Sequence, residues 1–444
     1  MSTSHATIVA DLSFGDAGKG TIIDFLARQD TTPPVVVRFN GGPQAAHNVV
    51  TPTGRHHTFS QFGSASFLPD SRTHLSRFML VNPLRLAREA DELTSLGVPR
   101  PEHGLTVDRR ALLISPYHEA ANRLRELARG SGRHGSCGHG IGETMADWLE
   151  SPDEALTAGD LADTAVATVK LEQARNRKLA QLNGFLPGLQ KVPAAARDLA
   201  TLQDNRLSAV VADFYTHFNL HIQVVGEDYL PHLLETTPHV LFEGAQGVLL
   251  DEWRGFHPYT TWSTTTFRNA NTLLEEAGFS GQVTRLGLLR AYSTRHGAGP
   301  FVTEDPVLTE LVPDAHNQTN DWQREFRVGH FDLVAARYAI QVSEGADSLA
   351  VTCLDRPVQR LVATSYRHRG NVIEQLAPGP FQDLDYQAAM TETLITATPA
   401  YLEAPPDQAG YLDYLENHLD LPITVTSHGP TADHKCYRLA IAKR

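Results

Sequence analysis

An α/β fold over residues 1–444 is the architecture this sequence predicts: one large domain with a central, mostly parallel sheet flanked by helices. Three observations carry that expectation. Short apolar, β-branched runs recur between longer stretches of helical periodicity. A glycine-rich loop joins the first such run to the first helical stretch. Several distinctive segments begin directly after strand candidates, where open parallel sheets hold their ligands. No internal repeat or low-complexity linker divides the chain.

Thr7-Ile8-Val9-Ala10-Asp11-Leu12 reads as the first buried strand. Thr21-Ile22-Ile23-Asp24-Phe25-Leu26 has apolar spacing that suits a helix. Further strands are expected at 35–39, 239–242, 284–289, 348–352 and 423–426. Amphipathic helices are expected at 84–96, 116–129, 162–183, 205–218 and 331–344. The stretch 130–160, rich in glycine and polar residues, reads as a loop excursion over an active site.

The formal charge of −13 excludes a sequence-independent nucleic-acid binder, which needs a basic face. No run is long and apolar enough to cross a bilayer. Cys137, Cys353 and Cys436 are three in number and far apart, which suits neither a disulfide framework nor a zinc site. The 21 histidines include no metal-ligand spacing such as His-Glu-x-x-His. Reduced thiols and the absence of a leader point to the cytoplasm.

Between the first strand and helix stands Gly15-Asp16-Ala17-Gly18-Lys19-Gly20. Strand, glycine loop, lysine and helix form a phosphate-holding arrangement. Gly15, Gly18 and Gly20 let backbone N–H groups approach oxygens, the helix N-terminus adds positive field, and Lys19 supplies a full charge. The common phosphate loop, G-x-x-x-x-G-K-[ST], is a poor match. Here only Asp16 and Ala17 separate the two glycines, and Gly20 follows the lysine.

The loop resembles the Gly-Asp-Glu-Gly-Lys-Gly segment of the adenylosuccinate synthetase family. Four further resemblances follow in the family's order. Gly41-Gly42-Pro43-Gln44-Ala45-Ala46-His47 is similar to Gly-Gly-His-Asn-Ala-Gly-His. Residues 242–251, Phe-Glu-Gly-Ala-Gln-Gly-Val-Leu-Leu-Asp, differ from the family run only at Val248. Residues 291–301, Ala-Tyr-Ser-Thr-Arg-His-Gly-Ala-Gly-Pro-Phe, differ at His296, where valine is usual. Near the end, Cys353-Leu354-Asp355 and Ser427-His428-Gly429-Pro430 stand for Lys-Leu-Asp and Ser-Thr-Gly-Pro.

This resemblance implies a single large α/β domain acting as a homodimer. It implies GTP as co-substrate, Mg2+, an amino acid (L-aspartate) and a small-molecule acceptor. GTP phosphorylates an acceptor oxygen, and the aspartate amine then displaces that phosphate. Asp16 matches the base that takes the acceptor's proton and also a magnesium ligand, with Ala46 on the same metal. His47 matches the histidine that donates to the transferring phosphoryl group, a task suited to imidazole. Lys19 neutralises phosphate charge, and Gln246 matches the residue that hydrogen-bonds the acceptor near its reacting oxygen. Asp355 reads the base, because a carboxylate accepts from guanine's two adjacent donors and adenine lacks that pair. Ser427 and Gly429 match the loop closing on the same base. Gln44, Cys137, Thr261, Arg295, Arg324 and Arg327 match positions around the acceptor and the amino acid.

The departures cluster on the acceptor side. Where the family has Gly-Thr-Thr-Gly-Arg-Gly-Ile-Gly, this chain has Gly-Ser-Cys-Gly-His-Gly-Ile-Gly at 135–142. Asp153 and Glu154 replace arginines that reach a phosphate in the neighbouring subunit. Two charges about 4 Å apart interact by about 4 kcal/mol at surface-like dielectric, so the reversed sign matters. On the amino-acid side, Arg324 and Arg327 keep register with two of four arginines, while Glu325 and Phe326 do not. Ala17 replaces a glutamate. The expectation is a GTP-dependent ligase with a specialised, nucleoside-like acceptor. Its rivals are true adenylosuccinate synthase and a catalytically silent GTP-binding protein.

Overall fold

The computed structural model describes residues 4–130, 136–219, 221–312, 326–356, 358, 361–405 and 407–438. Its centre is a ten-stranded sheet formed by β1 (His5–Asp11), β2 (Val35–Arg38), β3 (Arg72–Leu75), β4 (Leu105–Asp108), β5 (Gln223–Val225), β6 (His239–Glu243), β7 (Gln282–Arg290), β8 (Ser348–Thr352), β9 (Ile423–Ser427) and β10 (Lys435–Tyr437). Their order across the sheet is β10-β9-β8-β7-β1-β6-β2-β3-β4-β5. Every neighbouring pair is parallel except β9 with β10. The five strands expected after the first are all present. β3, β4 and β5 were not expected; each is short, and polar residues break its apolar run.

The inner strands are apolar on both faces because helices cover both. Ile8, Val37 and Phe242 face one core, while Val9, Val36, Leu241 and Leu286 face the other with Ile22 and Ile23. Those isoleucines lie on α1 (Lys19–Ala27). The expected helices appear as α2 (Pro83–Ser95), α3 (Pro116–Arg129), α5 (Thr164–Leu182), α6 (Leu207–Asn219) and α7 (Leu333–Val342), with α4 (Ile141–Glu150) between α3 and α5. Their starts follow ordinary capping chemistry. Asn82 accepts from the Arg85 N–H before Pro83, and Ser115 and His118 form a capping box around Pro116. A third core, from Leu86 on α2 through Leu124, Leu171 and Ala212, packs α3, α5 and α6 over the β3–β5 side.

The reading of 130–160 as a loop excursion needs correction. α4 occupies residues 141–150, and its Ile141, Glu143, Thr144 and Asp147 are buried. The two glycines before it, at 138 and 140, masked the helical spacing that begins after them. No helix among the described residues is long and apolar enough to cross a membrane.

Two small ribbons matter for the site. Ser293–His296 pairs antiparallel with Phe326–Gly329, setting Arg295 opposite Arg327 and His296 opposite Phe326. His47–Val50 pairs with His56–Phe59.

Candidate active site

The loop after β1 is organised by Asp11, a buried carboxylate. It accepts from the Ser13 N–H at 2.9 Å, the Ser13 hydroxyl at 2.6 Å, the Ala17 N–H at 2.8 Å and Lys19 Nζ at 3.0 Å. Lys19 is thereby fixed inside the loop. Gly18 caps α1 with φ near +87°, a conformation that favours glycine. Gly20 explains why no serine or threonine follows the lysine: a Cβ there would lie 2.8 Å from His47 Cβ. The loop is thus shaped to bring α1 and His47 together.

His47 is buried, and its Nδ1 lies 2.6 Å from Glu243 Oε1 at the end of β6. Glu243 also accepts from the Ser64 N–H at 3.0 Å and from the Ser64 hydroxyl. Burial brings the His47 pKa down to about 4, against the opposing pull of Glu243. Glu243 is held down to about 2; burial pushes it up, but Arg38 and its bonds to His47 and Ser64 win. The resting pair is therefore neutral imidazole with carboxylate. The proton sits on Nδ1, and Nε2 is buried without a partner among the described residues.

Asp16 stands one residue after Gly15, with its side chain 21 % exposed. Burial raises its pKa, and His296, Arg290 and Lys19 pull it back. His296 Nε2 lies 3.8 Å from Asp16 Oδ2. Asp16 is a single accessible carboxylate beside a phosphate-type loop. That suits magnesium, which takes most of its oxygen ligands from phosphates and water. No cluster of three or more acidic, histidine or cysteine side chains among the described residues suggests another kind of metal centre. Ala46 is exposed in the segment leading into His47.

Gln246 lies against Gly41 and Gln44 against Gly42. Asn40 clamps Ala245 from both sides, donating to its carbonyl at 3.0 Å and accepting from its N–H at 2.7 Å. This clamp sets Gln246, whose φ is +56°. A Cβ on Gly41 would lie 3.1 Å from Gln246 Oε1, and one on Gly42 would lie 3.1 Å from Gln44 Oε1 and 3.0 Å from Ile141 Cδ1. Gln246 Oε1 and both polar atoms of Gln44 are buried without partners among the described residues. Leaving such atoms unpaired costs about 1–3 kcal/mol each. Thr261 lies on the following segment, its N–H bonded to the Leu250 carbonyl at 2.8 Å.

The 136–142 segment leans on α3. Asn122 accepts from the Gly140 N–H at 3.2 Å, and Arg123 donates to the Gly138 carbonyl at 3.2 Å. Burial pushes the Cys137 thiol up to about 11. Burial, then Arg85 and Arg123, bring His139 down to about 3, so its imidazole is neutral. Its Nδ1 is buried without a partner among the described residues. Asp153 is exposed, and Glu154 is ion-paired with Arg177 on α5.

At the ends of β8 and β9, the Leu354 N–H donates to the Ser427 carbonyl at 3.1 Å, which joins the Asp355 turn to the Ser427–Gly429 turn. Thr352 donates to the Ala17 carbonyl at 3.0 Å, and Thr21 to the Pro430 carbonyl at 2.8 Å. Asp355 is 36 % exposed, 3.7 Å from Arg356 Nε. Gly429 packs closely on His434: a Cβ would come 2.8 Å from its ring, so a side chain there would displace it. Lys435 Nζ holds the same turn through the carbonyls of Gly429 and Thr431, at 3.1 and 2.8 Å, and burial lowers its pKa to about 8.

On the amino-acid side, Arg324 lies outside the described residues. Arg295 and Arg327 are turned on their own chain. Arg295 is buried, lies over the Phe14 ring at 4.3 Å and donates to the carbonyls of Ala298 at 3.2 Å and Pro300 at 2.8 Å. Arg327 bonds Glu304 and the Gly297 carbonyl, both at 2.6 Å.

The structure therefore brings Gly15–Gly20, His47, Gln44, Gln246, Asp355, Ser427 and Gly429 to one end of the sheet. Sequence reasoning assigned no role to Asp11, Asn40, Ser64, Glu243 or Lys435. Asp11 and Glu243 carried a signal: each is a charge closing an apolar strand run. Asn40 and Ser64 act through contacts distant in sequence, whereas Lys435 holds carbonyls only four and six residues before it.

A family model described as adenylosuccinate synthetase matches residues 8–436. The chain is 30% identical over 442 residues to the adenylosuccinate synthetase of Bdellovibrio bacteriovorus, covering 95% of this chain and 96% of that one. It is 32% identical over 448 residues to that of Clostridium novyi, covering 96% and 98%. In three dimensions it is similar to a fully ligated adenylosuccinate synthetase from Plasmodium falciparum, with TM-score 0.80, 19% identity and coverage of 99% and 100%. It is also similar to a cyanophage S-2L succinoaminodeoxyadenylate synthetase bound to dGMP and to dATP as an energy donor. That likeness has TM-score 0.62 and 16% identity, covering 98% and 95% of the two chains.

Proposed function

The chain belongs to the adenylosuccinate synthetase family and is a GTP-dependent carbon–nitrogen ligase that uses magnesium; on that premise we propose that it joins L-aspartate to a nucleoside-like oxo acceptor lacking the 5′-phosphate of IMP. The observation that carries the acceptor reading is the state of Glu154. It stands where the resemblance places a phosphate-binding arginine, and it is already ion-paired with Arg177. His139, nearby in the same region of sequence, is a neutral imidazole, and Cys137 offers an un-ionised thiol, a weak donor.

In this reading Asp16 accepts the acceptor's ring proton as its oxygen attacks the γ-phosphorus of GTP. Asp16 and the chain at Ala46 would hold magnesium, which would supply charge neutralisation between the phosphates. His47 meets the transferred phosphoryl group through Nε2. A proton placed there creates an imidazolium that Glu243 stabilises. Gln246 and Gln44 pair their unpartnered amide atoms with the acceptor. The aspartate amine then displaces phosphate, forming the C–N bond and releasing inorganic phosphate. Asp355, with the Ser427–Gly429 turn, selects guanine. Arg324 and Arg327 are the proposed carboxylate contacts, and Thr261, Arg295 and Cys137 complete the surrounding shell. A homodimer in the cytoplasm is the setting that fits.

A second reading is adenylosuccinate synthase acting on IMP. Arg85 and Arg123 favour it: both lie close enough to His139 to depress its pKa, and Arg85 is 43 % exposed. Steady-state kinetics with GTP, magnesium, aspartate and IMP, inosine or hypoxanthine separates the readings. Phosphate release and product mass are followed. Inosine or hypoxanthine is expected to outperform IMP. Ordinary turnover of IMP with a micromolar KM overturns the first reading and leaves the second.

A further inference from the structure

His296 closes the strand Ser293–His296 and enters a turn containing Gly297 and Gly299, with φ near +71° and +106°. That turn is held from both sides. Arg295 donates to the Ala298 and Pro300 carbonyls, and Arg327 to those of Gly297 and Gly299 at 2.6 and 3.2 Å. A Cβ on Gly299 would lie 2.2 Å from Arg295 Nη2, so the turn closes tightly over the guanidinium. The backbone that carries His296 is thus fixed before any ligand arrives.

The His296 ring is fixed as well. It packs on Phe326, its cross-strand partner, with ring centroids 4.9 Å apart and an interplanar angle of 55°. Its Nε2 faces Asp16 at 3.8 Å, beyond hydrogen-bond length. Its Nδ1 is buried and has no partner among the described residues. A buried nitrogen on a fixed ring beside the proposed base is costly to leave unpaired.

We propose that His296 is a specificity-determining residue, whose Nδ1 hydrogen-bonds a neutral polar group, hydroxyl or carbonyl, of a 6-oxopurine-like acceptor beside its reacting oxygen. This rests on the reading of Asp16 as the acceptor's base. The site's valine in the family pattern has no such group, so the contact is a property of this chain. A purely structural role, filling space against Phe326, is the competing account.

The test compares His296→Asn, which keeps a polar side chain, with His296→Leu and His296→Val, which do not. The full chain is assayed with GTP, magnesium, aspartate and each of IMP, inosine and hypoxanthine; melting temperatures are measured alongside. The apolar variants are expected to raise the acceptor KM about tenfold or more while the GTP KM stays within about twofold. Asn is expected to restore most of the loss. An unchanged acceptor KM in Leu or Val overturns the inference. So does equal damage in all three variants with matching falls in melting temperature, which is the signature of packing. Failure of both apolar variants to fold also decides for packing. If the unaltered enzyme converts none of the three acceptors, the oxopurine reading fails and takes this inference with it, a result visible before any variant is made.

Discussion

Glu243 Oε1 lies 2.6 Å from His47 Nδ1, joining the end of β6 to the segment after Gly41-Gly42 in a contact that spans 196 residues of sequence. It fixes the imidazole tautomer, so Nε2 is the nitrogen left for chemistry. Glu243→Gln keeps the shape and removes the charge that would stabilise a protonated His47. The expected result is a fall in kcat of about 10- to 100-fold, with the KM for GTP little changed. Single-turnover phosphate release checks it. Unaltered kcat would mean that His47 works as a neutral ring.

Asp16→Asn and His47→Asn are each expected to lower turnover by about 100-fold or more, the scale of a positioned acid or base. Both variants should retain the native melting temperature within a few degrees. Near-normal turnover in either removes that residue from the catalytic set.

Asp355→Asn sets an amide donor against a guanine donor and removes a charged acceptor. Binding of GTP should weaken by about 2 kcal/mol, the value of a hydrogen bond to a charged group. Titration calorimetry with GTP and ATP reads this directly. Equal use of ATP and GTP by the unaltered protein refutes Asp355 as the guanine reader.

Acid stability should report the buried histidines. Burial brings His47 and His74 down to about 4, and His139 down to about 3, from the ordinary 6.5. Between 6.5 and those values the unfolded chain binds protons that the folded chain does not. Stability therefore falls as pH drops through that window, and rises as pH is raised again. Melting temperature against pH is expected to steepen below 6.5. His74→Asn, away from the site in β3, should flatten the slope. An unchanged slope would show that His74 titrates normally.

Much of this protein was legible in its sequence. The apolar runs of β1, β2, β6, β7, β8 and β9 are strong because helices cover both faces of the sheet, leaving little room for polar breaks. The helices with wide apolar stripes were legible for the same reason. β3, β4 and β5 are short and carry His74, Thr106 and Gln223, so they looked like connections. α4 was hidden behind Gly138 and Gly140. The glycine loop could be named from its own pattern, because phosphate binding demands particular residues at close spacing, while His47, Gln246 and Asp355 were named through their resemblance to the family's motifs.

What sequence could not determine is which of those groups are already engaged. Asp11 holds Lys19, Glu243 holds His47, Asn40 sets Gln246 through Ala245, and Arg177 holds Glu154. These contacts join segments remote in the chain, or settle between competing partners of like chemistry, and only the packing of the sheet and its helices decides them. The sequence by itself determined the family, the sheet and the kind of chemistry, because local spacing encodes those. Tertiary structure alone decided which histidines burial keeps neutral and which buried polar atoms are left without a partner among the described residues, because burial and proximity set both.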